Sequence, residues 1–177
     1  MKIAFISSAS LNFDQTLLSI IKKLISELSH ISKLEILTGG SKGVPGEFIK
    51  QAKLFRIKTI AYSPDISINT HNNREDNLEL EYFSEVRHIE GFTARSLVMI
   101  QDSHAVIMMN GRIGSLSEAT IALEEGKYLA ILTGTGGVAD HMECILNIAN
   151  KEFPGMVFFS DSSEEIVSWL RKNVADK

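Results

Sequence analysis

Residues 105–118 read Ala105-Val106-Ile107-Met108-Met109-Asn110-Gly111-Arg112-Ile113-Gly114-Ser115-Leu116-Ser117-Glu118. Five apolar residues in a row predict a buried strand over residues 105–109. Two glycines close behind it turn the chain. The pattern from Ser115 onward predicts a helix over residues 115–125, ended by Gly126. A buried strand feeding a helix through a turn of small residues is half of a βαβ unit.

The same alternation extends in both directions. Upstream, residues 2–6 predict a first strand. Phe13, Leu17, Leu18, Ile21, Leu24, Ile25 and Leu28 then recur at helical spacing, with Lys22, Lys23, Ser26 and Glu27 on the other side. Residues 34–37 predict a second strand, 47–55 a helix and 58–62 a third strand. Residues 63–90 break the rhythm, because Asn69, Asn72, Asn73, Arg74, Glu75, Asp76 and Asn77 leave them polar. A long loop with one short strand or helix is expected there, either a lid or a solvated excursion. A helix at 93–101 restores the pattern. Downstream come a strand at 129–132, a helix at 138–149, a strand at 156–159 and a helix at 163–173. The expected fold is a Rossmann-like, doubly wound α/β domain with a mainly parallel sheet flanked by helices, one domain over residues 1–177.

Composition narrows the function. A chain of 177 residues with 44% hydrophobic and 23% charged content fits one globular domain. Twenty-two acidic residues against 18 basic give a net charge of -4, spread along the chain. Duplex binding needs clustered cations, so no nucleic-acid partner is expected. The lone cysteine, Cys144, fits a reducing compartment. The opening apolar run is too short for a signal or a span, so the expectation is a cytoplasmic protein with no membrane partner. His30, His71, His88, His104 and His141 have no metal-ligand spacing, so neither a metal nor another cofactor is expected.

In a parallel sheet the loops that leave the carboxyl ends of the strands open on one rim. Three of them are rich in small residues: 38–46, 110–115 and 133–137. Each precedes a helix whose first N–H groups are unpaired, and so each is a candidate anion site. Gly114 and Ser115 are the leading phosphate cradle. Ser8, Gly39, Gly40, Gly43, Gly111, Arg112 and Thr133 complete the candidate ligand-binding set. Neither a Walker loop nor a dinucleotide fingerprint is present. Glu118 has two competing readings: a carboxylate beside a ligand, or the far end of a capping box from Ser115. Arg95, expected in the first turn of a helix, opposes the helix dipole unless an anion compensates it. Its partner is expected to be a phosphate, Glu118, or a surface acid such as Glu85 or Glu90.

The loop Thr38-Gly39-Gly40-Ser41-Lys42-Gly43-Val44-Pro45-Gly46 resembles the G-G-G-x-x-G-L-M-G loop of the LOG family. Residues 110–118 resemble that family's P-G-G-x-G-T-x-x-E motif, and Arg95 matches its upstream arginine. Asn110 stands where the family has proline, Arg112 where it has its second glycine, and Ser96 where a lysine is usual. Molybdenum cofactor carrier proteins share the same outline. The resemblance implies an AMP-like nucleotide ligand and a homodimer. It further implies hydrolysis of the N-glycosidic bond of a nucleoside 5′-monophosphate to base and ribose 5-phosphate, with Arg95 and Glu118 catalytic. The alternative it implies is a non-catalytic nucleotide or molybdenum-cofactor carrier. Single-stranded DNA binding, as in a related DNA-processing family, is disfavoured by the acidic balance.

Overall fold

The structure is a computed structural model that describes residues 1–10, 14–154 and 156–174. Seven strands form one sheet: β1 (Lys2–Ile6), β2 (Glu35–Thr38), β3 (Lys58–Ser63), β4 (Glu85–His88), β5 (Ala105–Met109), β6 (Tyr128–Leu132) and β7 (Val157–Ser160). Their spatial order is β4-β3-β2-β1-β5-β6-β7, and every pairing is parallel. The chain thus winds outward from β1 to β4, crosses back to lay β5 on the other side of β1, and winds outward again. The reversal opens a crevice between the carboxyl ends of β1 and β5, where ligands of doubly wound folds bind.

Alternation along the strands divides the core. Ile3, Phe5, Ile36, Ile107 and Met109 face α1 (Gln15–Leu28), α2 (Val44–Leu54) and α7 (Ser163–Val174). Ala4, Ile6, Leu37, Val106 and Met108 face α4 (Phe92–Asp102), α5 (Ile113–Glu124) and α6 (Met142–Ala149). β5 is buried on both faces, which is why its sequence is apolar throughout rather than alternating. Helix α1 buries Leu17, Ile21, Leu24, Ile25 and Leu28, each contributing about 1.5–3 kcal/mol of apolar transfer. Phe13, read as part of its apolar stripe, lies outside the described residues. The Asp14 carboxylate caps this helix by accepting from the Leu17 amide at 2.9 Å.

Some boundaries differ from expectation, each for a local reason. Helix α2 starts at Val44, since Pro45 is well placed in a first turn. Residues 137–141 form a 3-10 turn (Gly137–His141) before α6. Residues 63–90 are more ordered than a loop, with α3 (Ile68–Asn72), a 3-10 turn at Leu80–Tyr82, and β4. Strand β4 reads Glu-Val-Arg-His and is half-buried at the sheet edge, so it carries no apolar signature. Among the described residues no helix is long and apolar enough to cross a membrane.

Candidate functional site

Helix α5 starts two residues earlier than the sequence pattern suggests, and this decides the role of Glu118. Asn110 (φ +54°) and Gly111 (φ +101°) are left-handed, and Arg112 is the extended N-cap residue. Ser115 is therefore the third residue of the helix, not its cap, and no capping box forms. Glu118 sits one turn further in, 8% exposed, and faces α4. Its Oε1 accepts from Arg95 Nη1 at 3.0 Å and from the Ser96 hydroxyl at 2.8 Å. Burial pushes the Glu118 carboxyl above its ordinary value of 4.5, against the opposing pull of Arg95 and then Ser96.

Arg95 answers this carboxylate rather than Glu85 or Glu90. Glu85 pairs instead with Arg87 and Lys58. The Arg95 guanidinium lies against Gly39 at the end of β2, where any Cβ would collide with it. Its Nε is buried without a hydrogen-bond partner, and its Nη2 donates to no acceptor among the described residues. Phe92, more than half exposed at the start of α4, places its ring 6.0 Å from the same guanidinium.

The amino end of α5 has no side-chain cap. The amides of Ile113, Gly114 and Ser115 donate to no acceptor among the described residues. Ser115 is 4% exposed, and its hydroxyl is likewise unpartnered among them. No atom lies within 4 Å of the position a Gly114 Cβ would take. Free amides, a hydroxyl and the positive end of a helix dipole are together suited to an anion. Ser115 and Glu118 share a helix face, separated by about 4.5 Å along the axis. That offset suits a ligand whose anionic group lies at the helix end and whose sugar lies beside the carboxylate.

The remaining candidates are held in structural roles. Ser8 Oγ accepts from the Ser10 amide at 3.1 Å, and its carbonyl accepts from Val44. Gly40 packs against Ala61 and His71, and its carbonyl accepts from Leu78. Gly43 (φ +78°) would drive a Cβ to 2.5 Å from the Ala9 backbone. The Gly111 amide donates to Asn110 Oδ1 at 2.7 Å, so it is withdrawn from the cradle. Arg112 is exposed.

The loop at 133–137 is also spoken for. The Thr133 amide donates to Ser160 on β7, and the Asp140 carboxylate accepts from the amides of Thr135 and Gly136 at 3.2 and 2.9 Å. An internal anion thus takes the place a phosphate would have had. A cavity of about 640 Å³ opens beside this loop, towards Asp14, Leu17 and Ile20 of α1, and excludes Arg95 and Glu118 from its lining. The unpaired donors lie instead at the amino end of α5.

Ser96 and Asp140 carry roles that their types did not announce. The contact of Ser96 with Glu118 spans 22 residues of sequence and leaves no local pattern. Asp140 follows Gly136 by four residues, a spacing at which an acid can fold back on a turn. No group of three or more potential metal-ligating side chains occurs among the described residues.

Against known proteins, the model of the SLOG cluster4 family matches residues 2–167. No curated protein sequence matches the chain. Among solved structures, TM1055 superposes with a TM-score of 0.79 at 22% identity, covering 97% of this chain and 98% of that one. The molybdenum cofactor carrier protein of Chlamydomonas reinhardtii gives 0.76 at 19% identity, with 99% of each chain covered. DNA processing protein A from Helicobacter pylori, described with a single-stranded DNA binding mode, gives 0.64 at 20% identity over 98% of this chain and 81% of that one. At these identities the likenesses establish the fold.

Proposed function

This chain belongs to the SLOG cluster4 family, and from that premise we propose that it binds a phosphorylated nucleoside with its phosphate at the amino end of α5. The observation that carries the reading is the buried Arg95–Glu118 pair one turn below an uncapped helix end. The ribose would lie beside Glu118, with the free donors of Arg95 towards the phosphate or a ribose hydroxyl.

The reaction this arrangement supports is hydrolysis of the N-glycosidic bond of a nucleoside 5′-monophosphate. The C1′–N bond breaks, its electron pair leaves with the base, and positive charge develops on the ribose. A carboxylate beside the ring stabilises that charge and takes a proton from the water that adds to C1′, and that proton passes on to the departing base. The products are free base and ribose 5-phosphate. Arg95 and Ser96 both hold Oε1, which leaves Oε2 as the oxygen available to the reacting centre. The test is incubation with AMP and chromatography of the products. Free adenine that disappears in Glu118→Gln supports the reading, and AMP recovered intact with the wild-type protein refutes hydrolysis.

A second reading, a non-catalytic carrier, is favoured by one observation: the Glu118 carboxylate is engaged within the protein by both Arg95 and Ser96. The fold shared with the Chlamydomonas carrier agrees with it. Tight binding of a nucleotide or of molybdenum cofactor without turnover separates it from the hydrolase. A small-molecule ligand is preferred to single-stranded DNA because the net charge is -4. Exposed Leu97 on α4 and Ile113 at the head of α5 suit pairing of two copies, and we assign a homodimer and a cytoplasmic setting on the same reading.

A further inference from the structure

Arg112 is the sharpest departure from the LOG pattern, and the fold gives it no structural task. Its backbone is extended (φ -131°, ψ -158°), its side chain makes no cap hydrogen bond, and that side chain is exposed. It forms no ion pair among the described residues, in a chain where Arg74, Arg87 and Arg95 all do.

Beside it, three amides and the Ser115 hydroxyl stand unpartnered. Ser115 is 4% exposed, so this hydroxyl belongs to a built recess and not to open surface. Those four donors suffice for the three terminal oxygens of one phosphate monoester. Two carboxylates of the adjoining elements are engaged elsewhere, Glu118 with Arg95 and Asp140 with the amides of Thr135 and Gly136. The hydrogen-bond donors of Arg112 are thus surplus to a single phosphate. A helix end supplies only about half a unit of positive charge, whereas a guanidinium adds a whole unit and a planar fork matched to phosphate.

Resting on the nucleotide reading above, we infer that Arg112 receives a second anionic group next to the first, so that the site prefers a pyrophosphate-bearing nucleotide to a monophosphate. The ligand runs outward along the helix end. Its ribose lies beside Glu118, its first phosphate on the amides of residues 113–115, and its second phosphate against Arg112.

The experiment is calorimetric titration of the whole chain, at fixed low salt and without divalent cations, using inorganic phosphate, inorganic pyrophosphate, AMP and ADP. Wild-type protein is compared with Arg112→Ala, Arg112→Lys and Ser115→Ala, each first checked for native circular dichroism. The expected result is a preference of about tenfold or more for ADP over AMP and for pyrophosphate over phosphate. Arg112→Ala brings both ratios close to one, Arg112→Lys keeps part of them, and Ser115→Ala weakens AMP and ADP alike. A wild-type ratio near one, or a ratio that survives Arg112→Ala, overturns the inference while AMP binding keeps the nucleotide reading. Failure of all four probes to bind removes both together.

Discussion

The substitution Gly39→Ala isolates the Arg95–Glu118 pair without touching either member. Gly39 is not in the left-handed region, so alanine adds no backbone strain and would slightly stiffen the unfolded chain. The new methyl group would lie 2.7 Å from Arg95 Cζ and closer still to Nη1. Carbon contacts settle near about 3.5–4.0 Å, so the guanidinium has to retreat by about 1 Å. That retreat breaks its 3.0 Å bond to Glu118. Deleting one partner of a buried pair costs about 3–5 kcal/mol. Here the partner is displaced and Ser96 still donates to Oε1, so we expect about 2 kcal/mol at pH 8. Because burial raises the pKa of this carboxyl, the loss should be smaller at pH 5 than at pH 8. Urea unfolding at both pH values, with ribose 5-phosphate affinity as the second readout, tests the reasoning. A variant within about 0.5 kcal/mol of wild type at pH 8, with unchanged affinity, would mean that Arg95 is not lodged on Gly39.

Other expectations use the same geometry. Because folding raises the Glu118 pKa, its contribution to stability is full below the unfolded value of 4.5 and is lost as pH rises through the folded value. Glu118→Gln should remove that component from a pH series of unfolding free energies, and an unchanged slope would contradict the burial effect. Gly43→Ala meets both a left-handed backbone and the main chain of Ala9 and Ser10. We expect a loss of at least about 2 kcal/mol by thermal unfolding. Asp140→Ala strands the amides of Thr135 and Gly136 and should cost about 1–2 kcal/mol, with sulfate restoring part of the melting temperature. Tyr62→Phe removes a hydroxyl that donates to Asp102 and accepts from Arg87 within the β3–α4 packing. A denaturant midpoint lowered by about 1–2 kcal/mol is expected, and no change would show that Arg87 and Asp102 suffice alone.

The fold was readable where burial dictates composition. β5 is apolar on both faces because helices cover both, and α1 shows a stripe because only one side is covered. Strand β4 could not be located within 63–90, since an edge strand carrying Glu85, Arg87 and His88 has no apolar period to detect. The site was legible in part. Glycines and small residues marked the rim at the carboxyl ends of the strands, but most of them serve packing: Gly40 against His71, and Gly43 against Ala9. The Ser-x-x-Glu spacing at 115–118 suggested a cap because it is a local pattern. Where the helix begins was fixed instead by left-handed turns at Asn110 and Gly111, and the partner of Glu118 came from 23 residues away. Long-range partners of this kind leave no mark on spacing.

The loops after β5 and β6 are locked face to face. Gly137 sits directly on the Asn110–Gly111 peptide, Val138 and Ala139 donate to the carbonyls of Gly111 and Asn110 at 3.0 and 2.9 Å, and the Asn110 amide donates to Thr135 Oγ1 at 2.7 Å. Engineers wishing to transplant the recess would therefore have to move residues 110–118 and 133–141 as one cassette, since either half alone would arrive without its brace. A visiting anion meets a surface already set, and its speed of capture should be governed by encounter and ionic strength, with no slow remodelling phase.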